Sequence, residues 1–230
     1  MGETMKSRAL KVTVIAIVAI LGALALVAIV GLSLLQVRTA SLHDDWQSAR
    51  QDVKLSVPVQ VEGVEVITQD VSCGYAVIEM FSAWDDGDVT EESLYDEYGK
   101  VVTSTGQSFC DEMNKQFPNY KTTMRKNLTD TELLRAVHSS LEAGVPVPFE
   151  WAAKSGDEWT LHYSIVTGMD LEGDKVTVAN PYGYVEELPV GEFLNRTSFE
   201  AYEDMPLFLS LGFAFGVFEK NTVFVPERVS

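Results

Sequence analysis

The feature that most constrains this 230-residue chain is an uncharged apolar run near its N-terminus. Residues 12–35 read VTVIAIVAILGALALVAIVGLSLL. At about 1.5 Å per helical residue, the run is long enough to cross the roughly 30 Å hydrocarbon core of a bilayer. A cleaved secretory signal has a shorter apolar region, of about 7 to 15 residues, and a small-residue cleavage site. The run therefore favours an uncleaved transmembrane anchor over residues 12–37. A lipoprotein anchor is disfavoured because no cysteine directly follows the run.

The charges that flank this run predict its orientation. Lys6, Arg8 and Lys11 precede it, whereas Arg38 is soon followed by Asp44 and Asp45. Because basic residues stay on the cytoplasmic side, residues 1–11 are predicted to be cytoplasmic and the rest to lie outside the cell. Residues 38–56 are polar and are interpreted as a stalk or a helical continuation of the anchor. Residues 57–230 are long enough to form one domain with a sizeable core.

The charge balance limits the classes of partner. The net charge is -17, and residues 1–37 carry +2, so the remainder carries -19. Such a domain should repel nucleic acid and anionic lipid surfaces. A solvated surface explains the charge, and a preference for basic substrates or an acidic or salty habitat remains an open alternative.

The order of the local patterns predicts an α+β domain. Apolar spacing and capping residues indicate a helix that begins at Cys73, then three helices capped by Thr90, Ser108 and Thr129. Residues 57–72 are predicted to form a hairpin that leads into a loop. Strands are predicted at residues 145–151, 159–169, 175–180, 207–218 and 222–226. Helices first and strands afterwards indicate a helical lobe packed on an antiparallel sheet. Residues 206–218 are apolar but too few to span a membrane, so they are assigned to a core strand.

The first candidate for chemistry is Cys73. A cysteine in the first turn of a helix feels the positive end of the helix dipole, which lowers its pKa and favours the thiolate. Gly74 beside it would let a substrate backbone approach closely. A small buried core residue is the alternative interpretation of Cys73. A disulfide with Cys110, the second of the two cysteines, is a further alternative that would exclude a nucleophile.

Two further candidates lie in the predicted strands. His162 begins the otherwise apolar segment HYSIVTGMD, and Asn180 ends the next strand before Pro181 and Gly183. Because paired strands lie about 4.8 Å apart, Asn180 can reach the imidazole and fix its tautomer, leaving the other nitrogen to face a thiol. Taken separately, His162 can also be a core histidine and Asn180 a turn former.

The three residues in this order resemble a known family. The segments QDVSCGYAVIEMF, HYSIVTGMD and VTVANPYG, with the aliphatic run after Val145, are similar to the papain-like cysteine peptidases. Within them, the chain resembles a stand-alone, membrane-anchored form of the bacteriocin-processing (double-glycine) peptidase-like branch. The resemblance implies a papain-like fold over residues 57–230.

The resemblance also implies the roles of individual residues. Cys73 would be the nucleophile, His162 the general base and then acid, and Asn180 the residue that orients His162. Gln69 would complete the oxyanion hole, although it lies closer to Cys73 than the family spacing, and Gln60 is a weaker substitute. The implied partner is a peptide or protein substrate, and the implied reaction is acyl transfer from a peptide bond to water.

The sequence shows no cofactor or metal motif. His43, His138 and His162 are too far apart for a recognisable zinc motif, and no phosphate-binding glycine loop is present. Two other functions remain open on the same fold. One is a catalytically weak binding or adhesion module, and the other is an amidase or acyltransferase that uses the same triad.

Overall fold

The structure, a computed structural model, describes the backbone of residues 2–229 and the side chains of residues 10, 11 and 13–229. The side chains of Lys6 and Arg8, used above for orientation, lie outside the described residues. The helices are α1 (Gly2–Leu42), α2 (Cys73–Trp84), α3 (Glu91–Tyr98), α4 (Gly106–Gln116), α5 (Asp130–Glu142), α6 (Val190–Thr197) and α7 (Leu207–Ala214). The strands are β1 (Val59–Gln60), β2 (Tyr120–Arg125), β3 (Val147–Ser155), β4 (Glu158–Asp170), β5 (Lys175–Asn180), β6 (Tyr184–Leu188) and β7 (Thr222–Arg228). A 3-10 helix covers Trp46–Gln51.

One antiparallel sheet organises the domain. Its strand order is β2-β7-β3-β4-β5-β6, and the short β1 pairs with β4. The longest ladder joins β3 to β4, with Trp151 opposite His162 and Glu150 opposite Tyr163. The α+β prediction with an antiparallel sheet is therefore confirmed.

The core has two layers, because helices cover both faces of the sheet. On one face, α2 and α4 pack against Tyr163, Ile165 and Phe224. On the other face, α5 and α6 pack against Phe149 and Trp151. Buried aromatic side chains supply much of each layer, and side chains of this size contribute most to burial energetics.

Several local predictions are wrong. Residues 57–72 contain no hairpin, because β1 pairs with β4 and the segment that follows is extended loop. Helix α4 begins earlier than predicted: Thr105 is its cap, and Ser108 is the third helical residue, which closes a capping box. Residues 206–218 do not form a core strand, because most of them form the half-buried helix α7. Strands β2 and β6 and helix α6 were not predicted.

Helix α1 is the one helix in the described part of the chain that is long and apolar enough to cross a membrane. Almost none of its apolar window is buried, so it is not the core helix of a globular protein. Its last third is different, because Gly31, Thr39 and Leu42 are buried against the domain.

The segment after α1 is fastened to the domain. His43 Nδ1 lies 2.9 Å from Asp130 Oδ2. Asp44 Oδ1 accepts a hydrogen bond from the Thr131 backbone N–H at 3.0 Å. Ala49 and Leu55 belong to the core. The predicted stalk region therefore continues α1 to Leu42 and then packs on the domain.

Candidate functional site

Helix α2 carries Cys73 at its first turn, as the sequence predicts. Ser72 caps the helix, and its side chain accepts a hydrogen bond from the Tyr75 backbone N–H. Gly74 is buried, and a Cβ at this position would lie 2.3 Å from Thr103 Oγ1. The small size of Gly74 therefore serves packing against Thr103, which corrects the expectation that it serves the approach of substrate.

A buried carboxylate holds the loop that leads into α2. Glu91, the first residue of α3, accepts hydrogen bonds from the backbone N–H groups of Asp70, Val71 and Ser72 at 3.0, 2.9 and 2.9 Å. The Glu91 N–H in turn donates to Glu79 Oε2 at 2.7 Å. Because hydrogen bonds to an ionised acceptor are stronger than neutral ones, this carboxylate fixes the backbone immediately before Cys73.

The electrostatics of Cys73 differ from the expectation. Burial raises the pKa of the Cys73 thiol, and the N–H groups of Tyr163 and Gly74, which favour the thiolate, do not offset it. Glu150 raises this pKa further once its own carboxyl is ionised. The prediction of a lowered pKa was therefore wrong, because desolvation outweighs the backbone hydrogen bonds that favour the thiolate.

Strands β4 and β5 bring His162 and Asn180 together. His162 Nε2 lies 2.9 Å from Asn180 Oδ1, and both side chains are buried. The Tyr182 ring stacks on the imidazole with ring centroids 4.0 Å apart. Burial lowers the pKa of His162 to about 4, although the hydrogen bond with Asn180 opposes this shift.

The hydrogen bonds of Asn180 define the tautomer of His162. Asn180 Oδ1 also accepts from the Tyr182 backbone N–H at 3.0 Å, so this atom is an acceptor. His162 Nε2 must therefore be the N–H donor, and the neutral ring keeps the lone pair of Nδ1 free for a proton.

An ion pair supports Asn180 from behind. Asn180 Nδ2 donates to Glu186 Oε2 at 3.2 Å, and Glu186 Oε1 accepts from Arg196 Nη1 at 2.9 Å. The Arg196 guanidinium lies 5.3 Å from the centre of the Trp151 ring. Trp151 is the β3 residue paired with His162 of β4. Sequence reasoning missed Glu186, Arg196 and Tyr182. The sequence signal for Tyr182 was the segment ANPYG, which places an aromatic residue two positions after Asn180.

Cys73 approaches the strand that carries His162. Its sulfur interacts with the backbone N–H of Tyr163, the residue that follows His162. The pairing of β4 with β5 starts only at Ile165. On the side of β4 that faces β5, the backbone at His162 and Tyr163 is therefore not paired with that strand. Within the described part of the chain, the His162 ring makes one hydrogen bond, to Asn180, so no hydrogen bond joins it to the thiol.

Gln69 lies next to the segment that carries Asn180. Its backbone N–H donates to the Pro181 carbonyl at 2.8 Å, and its side-chain Oε1 is buried without a partner among the described residues. Gln60 instead belongs to β1 and lies opposite Gly168, six residues further along β4 than His162. The structure therefore brings Gln69 to the site and leaves Gln60 away from it.

The second cysteine is separate. Cys73 and Cys110 are both free, and the Cys110 thiol donates to the Thr122 carbonyl at 3.5 Å. The disulfide alternative is therefore not formed in the structure.

A cavity of about 550 Å³ opens beside the Cys73 loop. Its lining includes Asp70, Glu79, Glu92, Asp96 and Tyr95.

Among the residues that the structure describes, no group of three or more His, Cys, Asp or Glu side chains is arranged to hold a metal ion.

The fold and the site together define a class. A helix that starts at a cysteine, packed on an antiparallel sheet whose strands carry a hydrogen-bonded His and Asn, is the arrangement of the papain-like fold. A family model for the Peptidase C39-like family matches residues 44–205, more than two thirds of the chain. The chain belongs to this family. A search of curated proteins gave no match.

Proposed function

We propose that the chain is a membrane-anchored thiol peptidase in which Cys73, His162 and Asn180 act together. The observation that carries the proposal is the double use of Asn180 Oδ1, which accepts from His162 and from Tyr182. This arrangement leaves His162 Nδ1 as a base on the strand that Cys73 approaches. Membership of the Peptidase C39-like family supports hydrolase chemistry of the cysteine peptidase type.

The chemistry begins from an uncharged pair, because the thiol has a raised pKa and the imidazole a lowered one. As the Cys73 sulfur bonds to the peptide carbonyl carbon, His162 Nδ1 takes the thiol proton. The C–N bond then breaks, and His162 gives that proton to the leaving amine. Water, deprotonated by His162, hydrolyses the thioester and regenerates the thiol. Gln69 and the Cys73 N–H are the proposed donors to the oxyanion.

Helix α1 is the proposed anchor, with the N-terminus in the cytoplasm and the domain outside. The packing of its last third supports an uncleaved helix. Removing α1 would expose the buried partners of Thr39 and Leu42 and the α7 side chains that meet Gly31. Exposing apolar surface costs about 25 cal/mol per Å².

A binding module without turnover is a second candidate, and two observations favour it. His162 is 1% exposed, and it makes no hydrogen bond with the thiol. On this alternative, the same site would hold a peptide without cleaving it.

Thiol labelling separates the two candidates. A Cys110→Ala background leaves Cys73 as the single thiol. We expect a peptidyl vinyl sulfone to label it faster than a model thiol at pH 7. The rate should fall by about 100-fold or more in His162→Ala, because general-base catalysis contributes about 10² to 10⁴. His43→Ala, a change to an exposed histidine outside the site, serves as the control.

Labelling no faster than a model thiol, or labelling unchanged by His162→Ala, would favour the binding module. Adding a free amine acceptor with a peptide substrate separates hydrolysis from acyl transfer, because a transferase would give the amide product in place of the acid.

A further inference from the structure

Helix α7 presents an apolar surface that the peptidase site does not use. Its sequence is LFLSLGFA, and the residues after it continue as FGVF. Leu207, Phe208, Phe215 and Val217 are between 56% and 70% exposed. Exposed apolar side chains grouped in this way mark an interaction surface.

The position of α7 relative to α1 indicates what covers this surface. A Cβ at Gly31 would lie 3.4 Å from the Phe215 ring and 3.6 Å from the Ala214 Cβ, so α7 packs directly on α1. Leu35 also packs against the small buried cluster that contains Phe213 of α7. The apolar surface of α7 is therefore continuous with the apolar surface of α1.

The depth of the contact follows from helix geometry. Gly31 precedes Leu35, the last residue of the uncharged run, by four residues, or about 6 Å along the helix. It precedes Arg38, the first charged residue after the run, by about 10 Å. Helices that lie in the membrane interface bury their apolar face by about 5–10 Å. The contact with Gly31 thus places the C-terminal end of α7, at Ala214 and Phe215, at the depth of an interfacial helix.

The segment that follows α7 is hydrogen-bonded to the domain through Glu219. Glu219 Oε1 accepts from Lys126 Nζ at 2.6 Å, and Glu219 Oε2 accepts from Asn127 Nδ2 at 2.8 Å. The apolar turn at residues 215–217 therefore projects from a fixed base.

We infer that residues 207–217 insert into the outer leaflet of the bilayer beside α1. The occupant of the surface is lipid acyl chain. Anionic headgroups are not required, because residues 38–230 carry -19 and gain nothing from a negative surface. The inference rests on the anchor in the proposed function and is independent of the peptidase chemistry.

Photolabelling by lipid tests the inference. The full chain is reconstituted in phosphatidylcholine nanodiscs that contain a phospholipid with a diazirine in its acyl chain, and labelled peptides are mapped by mass spectrometry. We expect label in α1 and in residues 207–217. In Phe208→Glu, the label in residues 207–217 should fall at least threefold while the label in α1 stays unchanged. Val185→Glu, at an exposed apolar position of β6, is the matched control and should change neither.

The outcomes separate the two claims. Label in α1 without label in residues 207–217 overturns the insertion of α7 and leaves the anchor intact. Absence of label from both overturns the anchor as well. Cross-links between two chains through residues 207–217, with no lipid label there, identify a second copy as the occupant and also overturn the inference. The wild-type pattern decides among these outcomes even if Phe208→Glu fails to fold.

Discussion

Asn180 determines where the single proton of the His162 imidazole resides. Its Oδ1 accepts from Tyr182 and from His162, so the proton is on Nε2 and the lone pair on Nδ1. Glu186 fixes the other end of the Asn180 amide by accepting from Nδ2. A base arranged in this way is available whenever the ring is neutral.

The pKa of His162 predicts the acid limb of activity. Because burial lowers this pKa to about 4, the ring stays neutral, and kcat/KM or the vinyl sulfone labelling rate should hold down to about pH 4.5. The same shift stabilises the fold above about pH 6.5, and that stability is lost as the pH falls through about 4. Near-UV circular dichroism at each pH separates loss of the fold from protonation. An acid limb centred between about pH 6 and 7 would show that the ring is hydrated during catalysis.

Sequence reasoning predicts residues that break a local pattern. His162 was recognisable because it interrupts an apolar strand, and Cys73 because it precedes a helix pattern. The His162–Asn180 contact has the predicted geometry, whereas the convergence of Cys73 on His162 and the catalytic roles of the three residues stay predictions. Glu91 and Glu186 were not recognisable, because an acidic residue in a first helical turn or an edge strand looks like any solvated carboxylate. Only folding shows which of them meets unpaired N–H groups.

At the scale of elements, α3 positions the start of α2 through one side chain. Glu91→Gln removes the charge from an acceptor that serves three backbone N–H groups. We expect a loss of about 1–3 kcal/mol in the free energy of unfolding. Amide hydrogen exchange of residues 69–73 should be faster, and labelling of Cys73 slower.

Glu92→Gln is the matched control for this change, because Glu92 is the exposed neighbour on the same turn. Equal exchange of residues 69–73 in the two variants would show that the carboxylate does not hold the loop.

Helix α7 shows why an apolar segment can be misassigned. Thirteen successive residues from Pro206 to Phe218 include only one polar side chain, so neither a period of 2 nor a period of 3.6 is visible. Length and apolar content then suggested a core strand. The partner of α7 is α1, which ends at Leu42, whereas α7 begins only at Leu207. A local pattern carries no information about a contact between segments so far apart in the sequence.

At the scale of the whole molecule, Glu150 makes stability depend on pH. This residue is 1% exposed in the centre of the sheet, and its Oε1 has no partner among the described residues. Burial, with a smaller effect of Glu219, raises its pKa to about 8. Because the folded-state pKa lies above the ordinary value, the stability that the neutral carboxyl provides is complete below about pH 4.5 and is lost as the pH rises through about 8.

Glu150→Gln should remove this dependence, since the amide has the same shape and no charge to bury. We expect the midpoint of thermal unfolding of the full chain in nanodiscs to rise in the variant relative to wild type, and the difference to grow by several degrees between pH 5 and 8.5. The exposed Glu142→Gln should give a constant difference. A constant difference in Glu150→Gln as well would mean that the carboxyl is hydrated in the folded state.

The fastening of residues 43–56 limits the reach of the proposed enzyme. His43 and Asp44 bind the start of α5, and Ala49 and Leu55 lie in the core, so this segment is not a loose tether in the structure. With α1 in a bilayer, the site at Cys73 would stay at a constant height above the membrane. It could then cleave only substrates whose scissile bond lies at that distance from the membrane. Substrate choice would depend on the position of the bond relative to the lipid surface as well as on the side chains around it.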